Sequence, residues 1–426
     1  MKFGVNYTPS QGWFYMWLHP DWDTVHRDMD HIASLGVDHV RIFPLWPILQ
    51  PNRTAINTSG LKDLHRMVGV AGKAGLDCYV DVLQGHMSSF DFLPSWMLSW
   101  HKKNMFTDPA AVQAQAELVA AVYDDLHDLS CFAGLTLGNE CNQFAGSSHP
   151  SPMRASNEDI EAWLRELLKP VTKRAHQDGR VVLHCENDEV WYSDGHPFLP
   201  EYAANIGDIT AIHSWVFNGT AQHYGDLSQE SVRHAEYLVQ LAQAFANYAD
   251  RKVWVQEIGA PLNVIAPEHA AQFCRESIEH ILDSNNVYGL TWWCSHNVDQ
   301  RYADFPTLEH ELGLFDVDGK LTPIGYSFKE VVRQYQNPCK VEARPQALVI
   351  DTDSEGLPIL RASLSPGGSV FDRWMELSAA GERPSLVLSK DLADHRLLEE
   401  RGIGSHHSVE PKAGKLYSSV SDSSVL

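Results

Sequence analysis

Short apolar runs alternate with longer amphipathic stretches through the first 300 residues, and that rhythm leaves few folds open. The runs fall at residues 3–7, 39–43, 77–83, 134–140, 180–185, 209–215, 253–258 and 288–294. Between them, 22–35, 61–74, 110–129, 157–177, 228–248 and 267–283 carry apolar residues at helical spacing, and only the interval between the fifth and sixth runs is short. Runs without polar alternation read as parallel strands covered on both faces, and parallel strands need crossover segments, which the helical stretches supply. Eight such units, with a helix at 322–336 to complete the ring, predict an α/β chain built as a (β/α)8 TIM barrel followed by a small C-terminal α/β domain. A doubly wound open sheet is the alternative, but no Gly-x-Gly-x-x-Gly follows the first strand.

The barrel is assigned to residues 1–337. Asn337-Pro338 ends the last helix and the composition changes there, so 338–345 reads as a linker. Residues 346–413 form the accessory domain, with strands expected at 347–350, 360–364 and 386–388 and a helix at 392–401. The serine-rich stretch 414–426 reads as a flexible tail.

A formal net charge of −22 argues against nucleic acid and against an anionic membrane as partners, because both reward clustered Lys and Arg. No segment is apolar for long enough to span a bilayer, and the N-terminal residues enter strand-like sequence without an apolar signal region, which points to the cytoplasm. Seven scattered cysteines, among them Cys78, Cys185 and Cys294 inside expected strands, lack disulfide or zinc spacing and read as core thiols. The Asn-x-Thr/Ser triplets at Asn52, Asn57 and Asn218 then carry no glycosylation.

In such a barrel the chemistry stands at the C-terminal ends of the strands. Those ends hold Arg41, then Gln84 and His86, Asn139 and Glu140, Glu186 and Asn187, His213 and Trp215, Glu257, and Trp292 and Trp293. The histidines do not repeat at ligand spacings, so neither a metal nor another cofactor is expected. Glu140 and Glu257, from the fourth and seventh strands, would face each other across the mouth, and two facing carboxyls are what glycosidic cleavage needs. A separation near 5 Å gives a covalent intermediate and retention, whereas roughly 6.5–9.5 Å admits a water and inverts. Asn139 is placed to bond a sugar 2-hydroxyl. Trp292 and Trp293 offer rings for a sugar face, but neighbours on a strand point to opposite sides, so one of the two belongs to the core.

Gly138-Asn139-Glu140 on the fourth strand and Trp254-Val255-Gln256-Glu257-Ile258-Gly259 on the seventh resemble the two signatures of glycoside hydrolase family 5, within the retaining clan A barrels. The likeness spans residues 3 to about 335 and includes Arg41, His86, His213 and Trp292 or Trp293 in the expected order. It implies Glu140 as acid/base and Glu257 as nucleophile, with Arg41 and His213 beside the nucleophile. A nearby guanidinium favours an ionised nucleophile, and apolar surroundings plus a second carboxylate favour a protonated acid. Two positions depart from the family pattern: Cys141 stands where many members have Pro, and Trp215 where members usually have a Tyr that hydrogen-bonds the nucleophile. Trp215 is therefore expected as a sugar platform, and His86, Asn139 and Glu186 as substrate-binding or orienting groups.

Long aromatic loops at 11–17, 91–100 and 297–315 would close the cleft into a pocket and favour exo attack. Within the family the compact start, the intracellular setting and the α/β appendage resemble bacterial β-mannosidases acting on the N-glycan core disaccharide. The expected activity is a retaining exo-β-mannosidase on small oligosaccharides such as Man-β1,4-GlcNAc. The competing readings are another clan A exo-β-glycosidase, such as a β-galactosidase or β-glucosidase, an endo-β-mannanase, and a non-catalytic sugar-binding barrel. The appendage carries no catalytic cluster and reads as a bracing or assembly element, with a homo-oligomer through it left open.

Overall fold

The structure, a computed structural model, describes residues 1–101, 103–335 and 341–414. Eight parallel strands form the inner sheet: β1 (Lys2–Asn6), β2 (His39–Ile42), β3 (Asp77–Asp81), β4 (Phe132–Thr136), β5 (Val181–Leu183), β6 (Thr210–Ser214), β7 (Val253–Ile258) and β8 (Val287–Trp292). Their order, β5-β4-β3-β2-β1-β8-β7-β6, is that of a (β/α)8 barrel. No ladder joins β5 to β6. There the Asp208 backbone N–H donates to the Val182 carbonyl at 2.9 Å, and the Asp208 carboxylate accepts from the Val182 N–H at 2.7 Å and pairs with His176 at 2.6 Å. One side chain thus takes the place of a strand pairing.

The outer helices are α1 (Trp22–Ala33), α2 (Thr58–Lys73), α3 (Pro109–Leu126), α4 (Asn157–Gln177), α5 (Pro200–Asn205), α6 (His234–Phe245), α7 (Ala270–Leu282) and α8 (Pro323–Gln334). Several start where a side chain satisfies the free amides of the first turn: Asp21, Asn57 and Asp108 accept from backbone N–H groups, and Ser156 with Asp159 forms a reciprocal capping box. The helical stretch expected at 228–248 is broken at Arg233, whose backbone leaves helical geometry between Gln229–Val232 and α6. The short interval after β5 holds α5.

Inside the barrel, rings from some strands need glycine on others. The ring of His39 occupies the space beside Gly4, where a Cβ would meet it at 2.1 Å, and His39 in turn packs edge-on to Tyr79 and Trp254. These residues seal the barrel below the site. Burial, with the charge of Lys2, pushes His39 down to about 3, so it is a neutral core group held by Thr291 at 2.7 Å.

The C-terminal unit is a three-stranded parallel sheet of β9 (Gln346–Ile350), β10 (Ser385–Leu388) and β11 (Ser405–Ser408), ordered β10-β9-β11, with α9 (Ser369–Ala379) and α10 (His395–Glu400). The strand expected at 360–364 is instead a turn of 3-10 helix, Arg361–Leu364. Arg361 reaches the barrel there, donating to the carbonyls of Val190 at 3.1 Å and Phe198 at 3.2 Å. A helix at α9 and an edge strand at β11 were not expected. The unit is fastened to the barrel by Arg344 on Glu236 at 2.5 Å, Arg383 on Asp283 at 2.6 Å and the Tyr237 hydroxyl on the Leu364 carbonyl at 2.8 Å. Phe371 and Trp374 of α9 pack on the Tyr237 ring. These are bracing contacts. The expected linker start at 338–340 and the tail at 415–426 lie outside the described residues. Among the described residues, no helix is long and apolar enough to cross a membrane.

Candidate active site

Glu140 does not end a strand. After β4 the chain continues through Leu137 and Gly138, where a Cβ would meet the Leu83 carbonyl oxygen at 2.4 Å, so the close approach admits only glycine. Glu140 then takes a left-handed backbone (φ 45°) at the head of the 3-10 helix Cys141–Ala145. A non-glycine residue in that region costs on the order of 1–3 kcal/mol, an arrangement characteristic of functional sites. It turns the carboxyl toward β6, where Oε1 lies 2.6 Å from His213 Nδ1, while Oε2 accepts from the Gln143 amide.

Glu257 is aimed by a bulge. Against β6, His213 pairs with Glu257 but Ile212 pairs with Val255, and β8 skips the same residue, so β7 carries one extra position at Gln256. A bulge lets consecutive side chains share a face. Gln256 donates to Thr136 Oγ1 at 3.1 Å and meets His213 Nε2 with its Oε1 at 3.3 Å. Glu257 accepts from Arg41 at 2.8 Å through Oε1 and from the Trp215 indole N–H at 3.3 Å through Oε2. Carboxylate oxygens of Glu140 and Glu257 lie within 4.8 Å of each other, with His213 between them, the close spacing of a retaining pair.

Arg41 is completely buried, and its charge is shared. It donates to both Asp81 oxygens at 2.8 and 2.6 Å, to Glu257, to Asn139 Oδ1 at 2.8 Å and to Asn6 Oδ1 at 3.2 Å. Burial opposes its charge, but Asp81, Cys185 and Glu257 outweigh that and hold it firmly protonated. Asp81 is raised by burial and pulled back by Arg41. Asn139 is thereby fixed on the guanidinium, with its amide turned toward the His86 carbonyl at 3.5 Å. The His86 ring itself is held by Asp91 at 3.1 Å.

The proton distribution differs from the one expected. Both nitrogens of His213 face acceptors, Glu140 Oε1 and Gln256 Oε1, which fits a doubly protonated ring. Burial opposes that charge, but the carboxylate of Glu257 and the bond to Glu140 hold His213 well above its ordinary range. Burial also raises Glu140, yet the hydrogen bond and charge of His213 overcome it and bring Glu140 below the usual carboxylate value. Glu257 is raised by burial and by the charge of Glu140, against His213 and Arg41. His213 thus stands nearer Glu140 than Glu257, from which it is 3.4 Å away. His213 and Glu140 thus share one short hydrogen bond at 2.6 Å, in which the charge of each favours the ionised form of the other.

Trp215 makes a contact that was not expected. Its indole N–H donates to Glu257 Oε2 at 3.3 Å, while its ring lies edge-on to Trp293 at 6.5 Å. Trp293 faces the site, and its peptide bond to Cys294 is cis. Trp292 is core: it is fully buried against Phe328 of α8 and so is removed from the substrate-facing set. Glu186 lies off this network, engaged by His184 at 2.5 Å. Cys141 is a buried thiol beside the Leu83 carbonyl. Asn6 and Asp81, the last residues of β1 and β3, were passed over because the apolar runs 3–7 and 77–83 continue beyond them, and Gln256 because it lies inside β7.

Among the described residues, two groups bring three ligand-type atoms together: Glu140, His213 and Glu257, and Asp28, His31 and His296. The first is the carboxyl pair itself. In the second, Asp28 already accepts from the Tyr7 hydroxyl at 3.0 Å and the Ser10 hydroxyl at 2.6 Å.

No protein-family model and no curated protein matches the chain. Solved structures do. A GH5_18 protein from Bifidobacterium longum subsp. infantis is 52% identical over 98% of this chain and 99% of its own, with a TM-score of 0.95. An E140A variant of a GH5_18 protein from Bifidobacterium longum subsp. longum, in complex with Manβ1-4GlcNAc, is 51% identical over 100% of both chains, TM-score 0.96. A variant of a GH5_18 protein from Streptomyces cattleya, also in complex with Manβ1-4GlcNAc, is 47% identical over 96% of this chain and 98% of its own, TM-score 0.92. With about half of all positions shared along the whole of both chains, the protein belongs to glycoside hydrolase family 5, subfamily 18.

Proposed function

We propose that the protein is a retaining exo-β-mannosidase that removes terminal β-mannose from small oligosaccharides, with Man-β1,4-GlcNAc as substrate. The observation that carries the reading is the close Glu140 and Glu257 pair, in a chain whose half-identical relatives were crystallised with that disaccharide. The variant that captured it in the Bifidobacterium longum subsp. longum protein removes a glutamate with the same number as Glu140, and the two chains cover each other completely.

Glu257 attacks the anomeric carbon, with Arg41 and Trp215 fixing its two oxygens. Glu140 protonates the departing oxygen, drawing the proton across the bond from His213. Formation of the glycosyl ester removes the negative charge of Glu257. Glu140 then returns as a base and activates the water that hydrolyses the ester. Asn139, locked on Arg41, offers its amide to the 2-hydroxyl, and Trp293 lines the sugar. A cytoplasmic setting, and with it the degradation of imported N-glycan fragments, agrees with cysteines that are all free thiols among the described residues. Assembly into a homo-oligomer through the C-terminal unit stays a proposal for light scattering.

The test is a panel of nitrophenyl β-glycosides with the two disaccharides mannosyl-N-acetylglucosamine and mannobiose, and NMR of the first product anomer. Release from the mannoside, preference for mannosyl-N-acetylglucosamine and a β product are expected. Fast release from the galactoside alone, or the inverted anomer appearing first, would overturn the reading.

A further inference from the structure

Two thiols meet at the foot of the barrel wall, remote from the carboxyl pair. Cys78 is the second residue of β3 and Cys131 stands immediately before β4, so both lie at the N-terminal face, the opposite end from Glu140 and Glu257. Their side chains converge on one acceptor, the Val68 carbonyl oxygen of α2, at 3.7 Å from Cys78 Sγ and 3.5 Å from Cys131 Sγ. Gly72, one turn further along α2, makes room for the second sulfur: a Cβ there would meet Cys131 Sγ at 2.4 Å.

The backbone brings the two within reach of a covalent bond. The Cys78 N–H donates to the Cys131 carbonyl at 2.7 Å, which with standard bond lengths holds the two Cα atoms to at most about 6.6 Å apart. Disulfides span Cα separations of about 4.4–6.8 Å and need side chains that do not point apart. Convergence on a single carbonyl meets the second condition. The pair is also asymmetric. Cys78 is fully buried, and burial pushes its thiol well above the ordinary range. Cys131 is half-buried and lies beside Arg180, whose guanidinium donates to the Leu129 and Phe132 carbonyls on either side of it at 3.1 and 2.8 Å. The hydrogen bond from Cys78, the backbone and Arg180 bring Cys131 down to about 7, against burial and the charge of Asp77. A partly exposed thiolate backed by a buried thiol is suited to oxidation in two steps.

We propose that Cys131 and Cys78 are an oxidation site, at which a peroxide reacts with Cys131 and Cys78 resolves the product into a disulfide that ties β3 to β4. The Cys131 thiolate attacks one oxygen of hydrogen peroxide, the O–O bond breaks, and hydroxide leaves with its electron pair, giving a sulfenic acid. The Cys78 sulfur then displaces the sulfenic hydroxyl, which departs as water with the Cys78 proton while the S–S bond forms. The two sulfurs together lose two electrons, and the peroxide becomes two waters once the hydroxide takes up the proton that Cys131 had released. The new bond closes residues 78–131 into a loop and so restrains the unfolded chain. None of this depends on the glycosidase reading.

The experiment treats the full-length protein with a small excess of hydrogen peroxide at neutral pH, blocks the remaining thiols with iodoacetamide and maps peptides without reductant. A peptide pair joined through Cys78 and Cys131 and released by a dithiol is expected, with a raised Tm in the oxidised protein. In Cys78→Ser, Cys131 should stop at the sulfenic acid and be captured by dimedone. In Cys131→Ser, which alters only the half-buried position, Cys78 should stay reduced. Recovery of both residues as alkylated thiols, or of either one joined to another cysteine instead, overturns the pair. Oxidation of Cys78 in Cys131→Ser as fast as in wild type overturns Cys131 as the point of attack.

Discussion

Trp215 gives the sharpest test of how this site keeps its nucleophile ionised. Its indole N–H donates to Glu257 Oε2 at 3.3 Å, on the oxygen that Arg41, at 2.8 Å on Oε1, leaves free. Trp215→Phe removes that donor and keeps an aromatic ring against Trp293. A hydrogen bond to a charged group contributes about 1.5–3 kcal/mol, and at 3.3 Å this one belongs at the low end, so the loss is about 1.5 kcal/mol. That is about one pKa unit. The donor stabilises the carboxylate and not the acid, so its removal raises Glu257, which burial has already raised. The acid limb of kcat/KM, which reports the coupled site in the free enzyme, should therefore move up by about one pH unit, with little change on the plateau. The same donor stabilises the carboxylate as it departs in the second step. With a dinitrophenyl glycoside, whose first step is fast, kcat should fall up to about tenfold. Trp215→Tyr, which restores the family's usual donor, should recover most of both effects. A rise in KM with the limb and the second step unchanged would refute the reasoning and return Trp215 to the role of a platform.

Three further outcomes follow from the geometry. Glu140→Ala should be nearly inactive on alkyl glycosides, and azide should restore turnover of an activated glycoside with formation of the β-glycosyl azide; an α-azide would contradict the retaining pair. His234, buried between Ser214 and Tyr192, is pushed down to about 4 by burial. The unfolded chain therefore binds its proton first, and stability should fall as pH drops from about 6.5 to 4, by about 3 kcal/mol for this group; melting of His234→Gln across that window should show a shallower fall. Arg344→Ala removes the partner of Glu236 Oε1 and leaves Arg233 on Oε2, so the loss is that of one buried charged hydrogen bond, about 1.5–3 kcal/mol, and should lower Tm by several degrees, whereas the exposed pair of Arg396 with Glu400 should be replaceable without measurable loss.

The barrel was legible because buried parallel strands write themselves as unbroken apolar runs, and a carboxylate ending such a run is costly enough to stand out. That exposed Glu140 and Glu257, and Arg41 followed from its place on β2. Period-two alternation could not show that Gln256 and Glu257 share a face, since the bulge that brings them together has no signature in Val253–Ile258. It also hid Asp81, which alternation alone places in the barrel without saying what it holds. His213 was expected beside Glu257 and lies 3.4 Å from it, but its shorter contact with Glu140 could not be seen, because the left-handed turn at Glu140 swings that carboxyl across to β6. In the C-terminal unit the apolar stretch at 360–364 resembled a strand, but the pull of Arg361 toward two barrel carbonyls made it a turn.

The clasp formed by Asp208 between β5 and β6 gives this tube a weakest line. Every other neighbouring pair of strands must lose a row of backbone bonds to separate, whereas this pair is held by one carboxylate and one amide. Amides flanking that line should be among the first in the barrel wall to exchange with deuterium. A chain cut and rejoined to place new ends in the stretch before Thr210 would disturb no ladder at all, which makes it the natural site for circular permutation or for carrying an inserted domain.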